Sequence, residues 1–175
     1  MGLPGKPDEA LFFTAISFRQ EMGLAEVQRR FMEPFGTIFT KSDIFPFDYS
    51  CYYESEMGSN LAKIFTFYEG LFDIERFVSM KQQAIKLEVE TSENGNRSIN
   101  IDPGYLSLAK LVLATTKNFD HRLYLGGGIF GDIQLRYRRG EFTVNPWTYP
   151  DYKAEASINY FKNARNYLHK LIKQK

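Results

Sequence analysis

Ten residues into the chain, ALFFTAISF (Ala10–Phe18) is apolar at nearly every position, the pattern of a strand buried on both faces. Leu24, Val27, Phe31 and Phe35 then recur at spacings of three and four, which predicts an amphipathic helix ended by Pro34 and Gly36. Thr37–Phe45 reads as a second strand that stops at Pro46. Pro46–Asn60 (PFDYSCYYESEMGSN) has no clean period and reads as a long Tyr-rich loop carrying Tyr49, Tyr52, Tyr53, Glu54 and Glu56. Leu61–Phe72 alternates Ile64, Thr66 and Tyr68 against Phe65 and Phe67, as a third strand does. Asp73 then caps a helix to about Glu90, with Ile74, Phe77, Val78, Ile85 and Val89 as its buried stripe. After a turn at Glu93–Asn96, Arg97–Ile101 forms a short fourth strand.

That order is strand, helix, strand, strand, helix, strand. It predicts an α+β fold with a ferredoxin-like βαββαβ core, in which four antiparallel strands carry both helices on one face. Asp102-Pro103-Gly104 resembles an N-cap followed by Pro at the first helical position, and Leu108, Leu111, Val112 and Thr115 keep helical spacing. Gly104–Thr116 is therefore expected to be a helix, although LAKLVLATT also fits a strand. His121–Leu125 and Ile129–Tyr137 form an added hairpin across the glycines. A terminal helix from about Glu155 presents Ile158, Phe161, Leu168 and Ile172. Residues 1–9 hold two Pro and two Gly without periodicity and read as a loose lead-in to one domain spanning residues 1–175.

Charge changes this picture more than composition does. The net charge is +1, yet residues 1–96 carry 9 basic and 15 acidic side chains and residues 97–175 carry 13 and 6. Opposite halves attract each other across a core, or they leave a basic face that recruits an anion. The single cysteine, Cys51, excludes an intrachain disulfide and a Cys-based metal site, and fits a reducing, cytoplasmic setting. No charged-then-apolar leader and no run of 18 apolar residues is present, so neither export nor a membrane partner is expected. With 16 Phe, 11 Tyr and one Trp, the chain points to an aromatic core, with Tyr clusters also suited to a partly wet interface.

Gly126, Gly128 and Gly131 match G-x-G-x-x-G, but a dinucleotide fingerprint needs a helix to follow and aim its amides at a pyrophosphate. Here DIQLRYRR alternates like a strand, so the glycines are expected to supply positive φ in a hairpin. No Walker-type loop is present, and no cofactor is expected. Two distant His, one Cys and no H-E-x-x-H pattern leave no transition-metal site. Pairs among Asp48, Glu54 and Glu56 suit a hard cation less well than a solvated loop.

Lys110, Lys117, His121, Arg122 and Arg136 lie on segments that folding can bring together, with Thr115 and Thr116 as hydroxyl donors and Asp102 to orient a lysine. Such a set would hold a phosphate or carboxylate. In NPWTYPDY, Trp147, Tyr149 and Tyr152 sit between two prolines, as a rigid strap or a stacking wall.

DPGYLSLAKLVLATTKNFDHRLYLGGGI (Asp102–Ile129), LRYRRGEF (Leu135–Phe142), PWTYPDY (Pro146–Tyr152) and FPFDYSCYYESEMG (Phe45–Gly58) resemble the prokaryotic "domain of unknown function 4416" family over nearly the whole chain. The resemblance implies a small, single-domain cytoplasmic protein without an established activity, so no catalytic residues carry over. Some members bear a "GTP-binding" label, which no loop of this sequence supports. Three functions stand open. One is a binding or regulatory module for a small anionic, phosphorylated or nucleotide ligand at the basic half. The second is a phosphoester- or nucleotide-processing enzyme with His121 as acid–base beside Lys117, Arg122 and Arg136. The third is a protein-interaction module using loop 46–60. A basic half with aromatics permits nucleic acid, but no RNA-binding motif supports it.

Overall fold

In the computed structural model, residues 2–48, 54–92 and 94–174 are described. Tyr49, Tyr52 and Tyr53 of the Tyr-rich loop lie outside them. Among the described residues, nine strands form one sheet: β1 (Ala10–Arg19), β2 (Ile38–Lys41), β3 (Phe45–Pro46), β4 (Leu61–Tyr68), β5 (Ile99–Ser107), β6 (Lys110–Thr115), β7 (Leu123–Gly126), β8 (Ile129–Arg138) and β9 (Glu141–Val144). Their order is β2-β4-β1-β5-β6-β8-β7, with β3 on β4 and β9 on β8. Every pairing is antiparallel. The helices are α1 (Leu24–Val27), α2 (Glu54–Met57), α3 (Phe77–Glu90), α4 (Pro150–Lys153) and α5 (Glu155–Lys173).

β1 lies centrally and is buried along nearly its whole length, because each of its faces meets helices. Ile16, Phe18, Ile64, Ile99 and Ile101 pack against Val27, Phe31 and Met32 of the first helical run and Ala84 of α3. On the opposite face Phe13, Ala15, Phe65 and Phe67 pack against Phe161, Ala164 and Leu168 of α5. The first helical run and α3 thus share one face, and the terminal helix α5, whose face the sequence left open, covers the other. Among the described residues, no helix is long and apolar enough to cross a membrane.

Several expectations are corrected. The helix expected over Leu24–Phe35 is an irregular run, α-helical only at Leu24–Val27, π-helical over Gln28–Met32 and a 3-10 turn over Glu33–Phe35, which ends at Gly36. The strand expected over Thr37–Phe45 is two short edge pieces, β2 and β3, both on β4. The stripe of α3 is rotated: Phe77, Met80, Lys81, Ala84 and Glu88 are buried, and Val89 is exposed.

The largest correction concerns Gly104–Thr116, which is not a helix but the end of β5, a tight turn and β6. Gly104 lies where a Cβ would meet the Phe13 ring at 2.3 Å and the Val112 carbonyl at 2.8 Å, so only Gly lets β5 pass this close to both. Pro103 sits in a strand without leaving a ladder bond unmade, because β5 has lost its neighbour there. β5 pairs with β6 only over Gly104–Leu106, while β1 flanks it from Ile99 to Ser107. The sheet forks at Pro103.

Ile101 stands on the open side of that fork. Its N–H donates to Glu88 Oε1 at 2.6 Å, and its carbonyl accepts from Lys81 Nζ at 2.7 Å. Two side chains seven residues apart on α3 thus replace the missing strand. Buried backbone polar groups must find partners, and this requirement puts a lysine and a glutamate on the inner face of α3.

The glycine cluster joins β7 to β8 as an antiparallel hairpin, as its flanking alternation predicts. Gly126, Gly127 and Gly128 have φ of 108°, 57° and 78°, values that bulkier residues resist. No helix follows them.

Candidate functional site

The fork in the sheet opens a cavity of about 590 Å³ between α3, the diverging strands β5 and β6, and the Tyr149–Asp151 strap. Its walls carry four cations, Lys63, Lys81, Arg97 and Lys117, and four carboxylates, Glu88, Asp102, Asp132 and Asp151. Lys63, Lys81, Glu88, Asp132 and Asp151 are buried, and charged side chains are almost never buried without partners. Lys63 Nζ lies 2.6 Å from Asp151 Oδ2, with both side chains at least nine-tenths buried. The same ammonium sits over the Phe47 ring at 4.9 Å and the Tyr152 ring at 5.3 Å.

Lys81 Nζ donates to Asp102 Oδ1 at 3.0 Å, and Asn100 donates to Asp102 Oδ2 at 2.9 Å. Asp102 does orient a lysine, though the lysine comes from α3. Burial works to lift the Asp102 carboxyl, and the Lys81 and Lys63 ammoniums with the two hydrogen bonds outweigh it, holding it below its ordinary value of 3.8. Glu88 has the opposite balance. Burial dominates and raises it, against the Lys81 charge and the bonds from Ile101 and Arg97. Asp102 is 23% exposed and Glu88 5%, so Asp102 faces the cavity's water while Glu88 is sealed under α3.

These shifts set an acid response. A carboxyl held low in the fold contributes stability above 3.8, and the contribution is lost as pH falls through the lower folded value. Glu88, being raised, acts in the opposite sense, since its protonation in acid favours the fold. Asp102→Asn should therefore flatten the decline of the urea midpoint between about pH 5 and 2. An unchanged slope would show that Asp102 gains nothing from its ammonium neighbours.

Arg97 joins the 46–60 segment to the cavity. It grips Glu56 with two bonds of 2.6 and 2.8 Å and reaches Glu88 at 3.0 Å. The hydrogen bond from Arg97 is the main cause of a lowered Glu56 carboxyl. Glu56 is thus an ion-pair anchor, and among the described residues no group of three or more His, Cys, Asp or Glu is placed to hold a metal.

The opposite wall is built from β8 and the strap. Buried Arg122 donates to Asp132 at 2.8 Å, to the Lys117 carbonyl at 3.0 Å and to the Tyr149 hydroxyl at 2.8 Å. Gln134 donates to Asp132 and accepts from the Tyr149 N–H, both at 2.8 Å. Burial pushes the Tyr149 hydroxyl up to about 12, against the Arg122 charge that lowers it. Between β7 and β9 the edge of β8 is closed by the strap: Trp147 Nε1 and Asn145 Nδ2 both donate to the Ile133 carbonyl, at 3.0 and 2.7 Å. Trp147 also stacks on His121 at 4.8 Å.

Of the residues singled out in the sequence, Asp102, Lys117 and Tyr149 line the cavity, together with Thr115 and Thr116. Arg122 stands behind the wall. His121, 16% exposed, is bonded to Asp120 at 3.0 Å and stacked between Phe119 and Trp147. Lys110 and Arg136 face each other across β6 and β8 and do not line the cavity. The five basic candidates thus do not share one concavity. Lys63, Lys81, Glu88, Asn100, Asp132 and Asp151 were missed, although charge inside an apolar period, as in LAKIFTFY, is a readable signal of a buried ion pair.

Fold and cavity together define a small α+β protein with one large antiparallel sheet, forked around a ligand-sized cavity whose walls carry charges of both signs. The chain belongs to the family described as "Domain of unknown function (DUF4416)", whose model matches residues 8–167. No curated protein and no solved structure matches it.

Proposed function

We propose that the protein is a binding module for a small zwitterionic ligand, held in the cavity at the sheet fork. One observation carries this reading: the cavity walls hold charges of both signs in equal number, four cations and four carboxylates. A bare phosphate entering there meets Asp102, Asp132 and Asp151 as well as the lysines. A ligand with its own ammonium and carboxylate extends the alternating pattern instead. The volume lies in the range of small-molecule pockets, ~300–1,000 Å³.

The anionic reading drawn from charge asymmetry keeps Lys117 but loses Lys110 and Arg136, and residues of both halves build the walls. An enzyme using His121 finds no support in the cavity, since that ring does not line it. We take the scaffold to be a ferredoxin-like core extended by β6–β9 and α5. Supporting this is the order β2-β4-β1-β5, which sets β4 between β1 and β2 and β1 between β4 and β5.

A thermal-shift panel of α-amino acids, neutral nucleosides and phosphate monoesters tests the proposal. Amino acids should raise the midpoint of the wild type and not that of Asp102→Asn. Stabilisation by phosphate monoesters alone, lost in Lys117→Ala, would replace the zwitterion with an anion.

A further inference from the structure

We infer that two copies of this chain associate through β7, edge to edge and antiparallel about a two-fold axis at Tyr124, so that their sheets run on as one. This is independent of the cavity and its ligand. Six of the eleven exposed large apolar side chains among the described residues, Phe119, Leu123, Tyr124, Leu125, Val144 and Trp147, belong to β7, β9 or the segments beside them. The exposed apolar surface is thus concentrated along one margin of the sheet, as at a docking surface, and not scattered.

The two ends of the sheet are treated differently. At one end β2 is guarded: it carries exposed Lys41, its Thr40 carbonyl accepts from the Tyr160 hydroxyl of α5 at 3.0 Å, and Phe39 stacks on Tyr167 at 3.8 Å. At the other end β7 reads Leu-Tyr-Leu-Gly, with no charge and no proline. Among the described residues no strand lies beyond it, and no backbone hydrogen bond joins it to anything but β8. An unguarded apolar edge is a template for a further strand.

The strand that fits is β7 itself. Antiparallel self-pairing about Tyr124 sets Tyr124 opposite its equivalent and Leu123 opposite Leu125 of the second copy. Leu123 is in register with Gly131 and the Leu125 side chain lies against the same glycine, so the two leucines share one face. Tyr124 points to the other face, its ring 5.3 Å from Phe130. The register therefore keeps faces matched, opposes apolar to apolar and ring to ring, and brings no like charges together. Such self-complementarity is what a two-fold contact requires. The apolar margin offers roughly 600 Å² per protomer, somewhat below the ~800 Å² of a standard interface, which makes the dimer weak and reversible.

Sedimentation velocity of the full chain, from micromolar to submillimolar concentration, tests this. The wild type should pass from monomer to dimer as concentration rises. Tyr124→Lys, which sets two ammoniums against each other across the axis, should stay monomeric throughout. In a Cys51→Ser background, Tyr124→Cys should form a disulfide-linked dimer under mild oxidation, since opposed residues of an antiparallel pair lie about 4.5–5.5 Å apart at Cα, within disulfide reach. Val89→Cys in the same background, at a site 66% exposed, should not. Urea unfolding checks that each variant is folded, and if Tyr124→Lys is not, the cysteine pair decides. A wild type that is monomeric at every concentration would overturn the inference. So would a dimer that survives Tyr124→Lys, or one that cross-links no faster through Tyr124→Cys than through Val89→Cys.

Discussion

Asp151→Ala is expected to destabilise the fold by about 3–5 kcal/mol, because it strands the Lys63 ammonium in the interior. The two side chains are 2% and 6% exposed, and their charged atoms lie 2.6 Å apart. Water does not reach Lys63 well enough to replace the carboxylate. The Phe47 and Tyr152 rings soften the loss without removing it, which puts the expectation at the lower end of that range. Urea unfolding at neutral pH measures it. Adding Lys63→Met should restore most of the stability, since the second change removes the uncompensated charge. A loss below about 1 kcal/mol, the size found for exposed pairs, would mean that the pair is solvated and the cavity wetter than its walls imply.

Arg122→Ala should cost a similar amount, again about 3–5 kcal/mol. Its removal leaves Asp132, 1% exposed, with Gln134 as a hydrogen-bond donor and His121 Nε2 at 3.6 Å. The Lys117 carbonyl and the Tyr149 hydroxyl lose their guanidinium partner in the same step. Arg122→Lys keeps the charge but not the three-way fork, and should fall between. From sequence alone, Arg122 stood as a ligand-binding cation. Its burial makes it a support for the cavity wall, so any effect of Arg122→Ala on binding should appear together with lost stability. Loss of binding at unchanged urea midpoint would return Arg122 to the ligand.

Much of the fold was legible because period and local chemistry agree. Residues 10–18 and 61–68 are apolar on both faces and became the central strands. Phe161 and Leu168 are spaced as one helical face and became the buried side of α5. The alternation flanking Gly126–Gly128 marked a hairpin against the pull of a nucleotide motif, and a hairpin stands there. Where local signals conflict, they misled. Pro103 and Gly104 look like a helix start, and LAKLVLATT satisfies both periods.

The sequence by itself thus determined the α+β class, the central strands, the terminal helix and the glycine hairpin, since each is marked by a period or turn pattern written over residues near in the chain. Tertiary structure decided the rest. Gly104 is needed only because Phe13, 91 residues away, crosses beneath it. Lys81 and Glu88 turn inward only because β6 leaves β5 and exposes the Ile101 amide and carbonyl. The site exists where strands part. No local period records a parting, because what defines it is a neighbour that is missing.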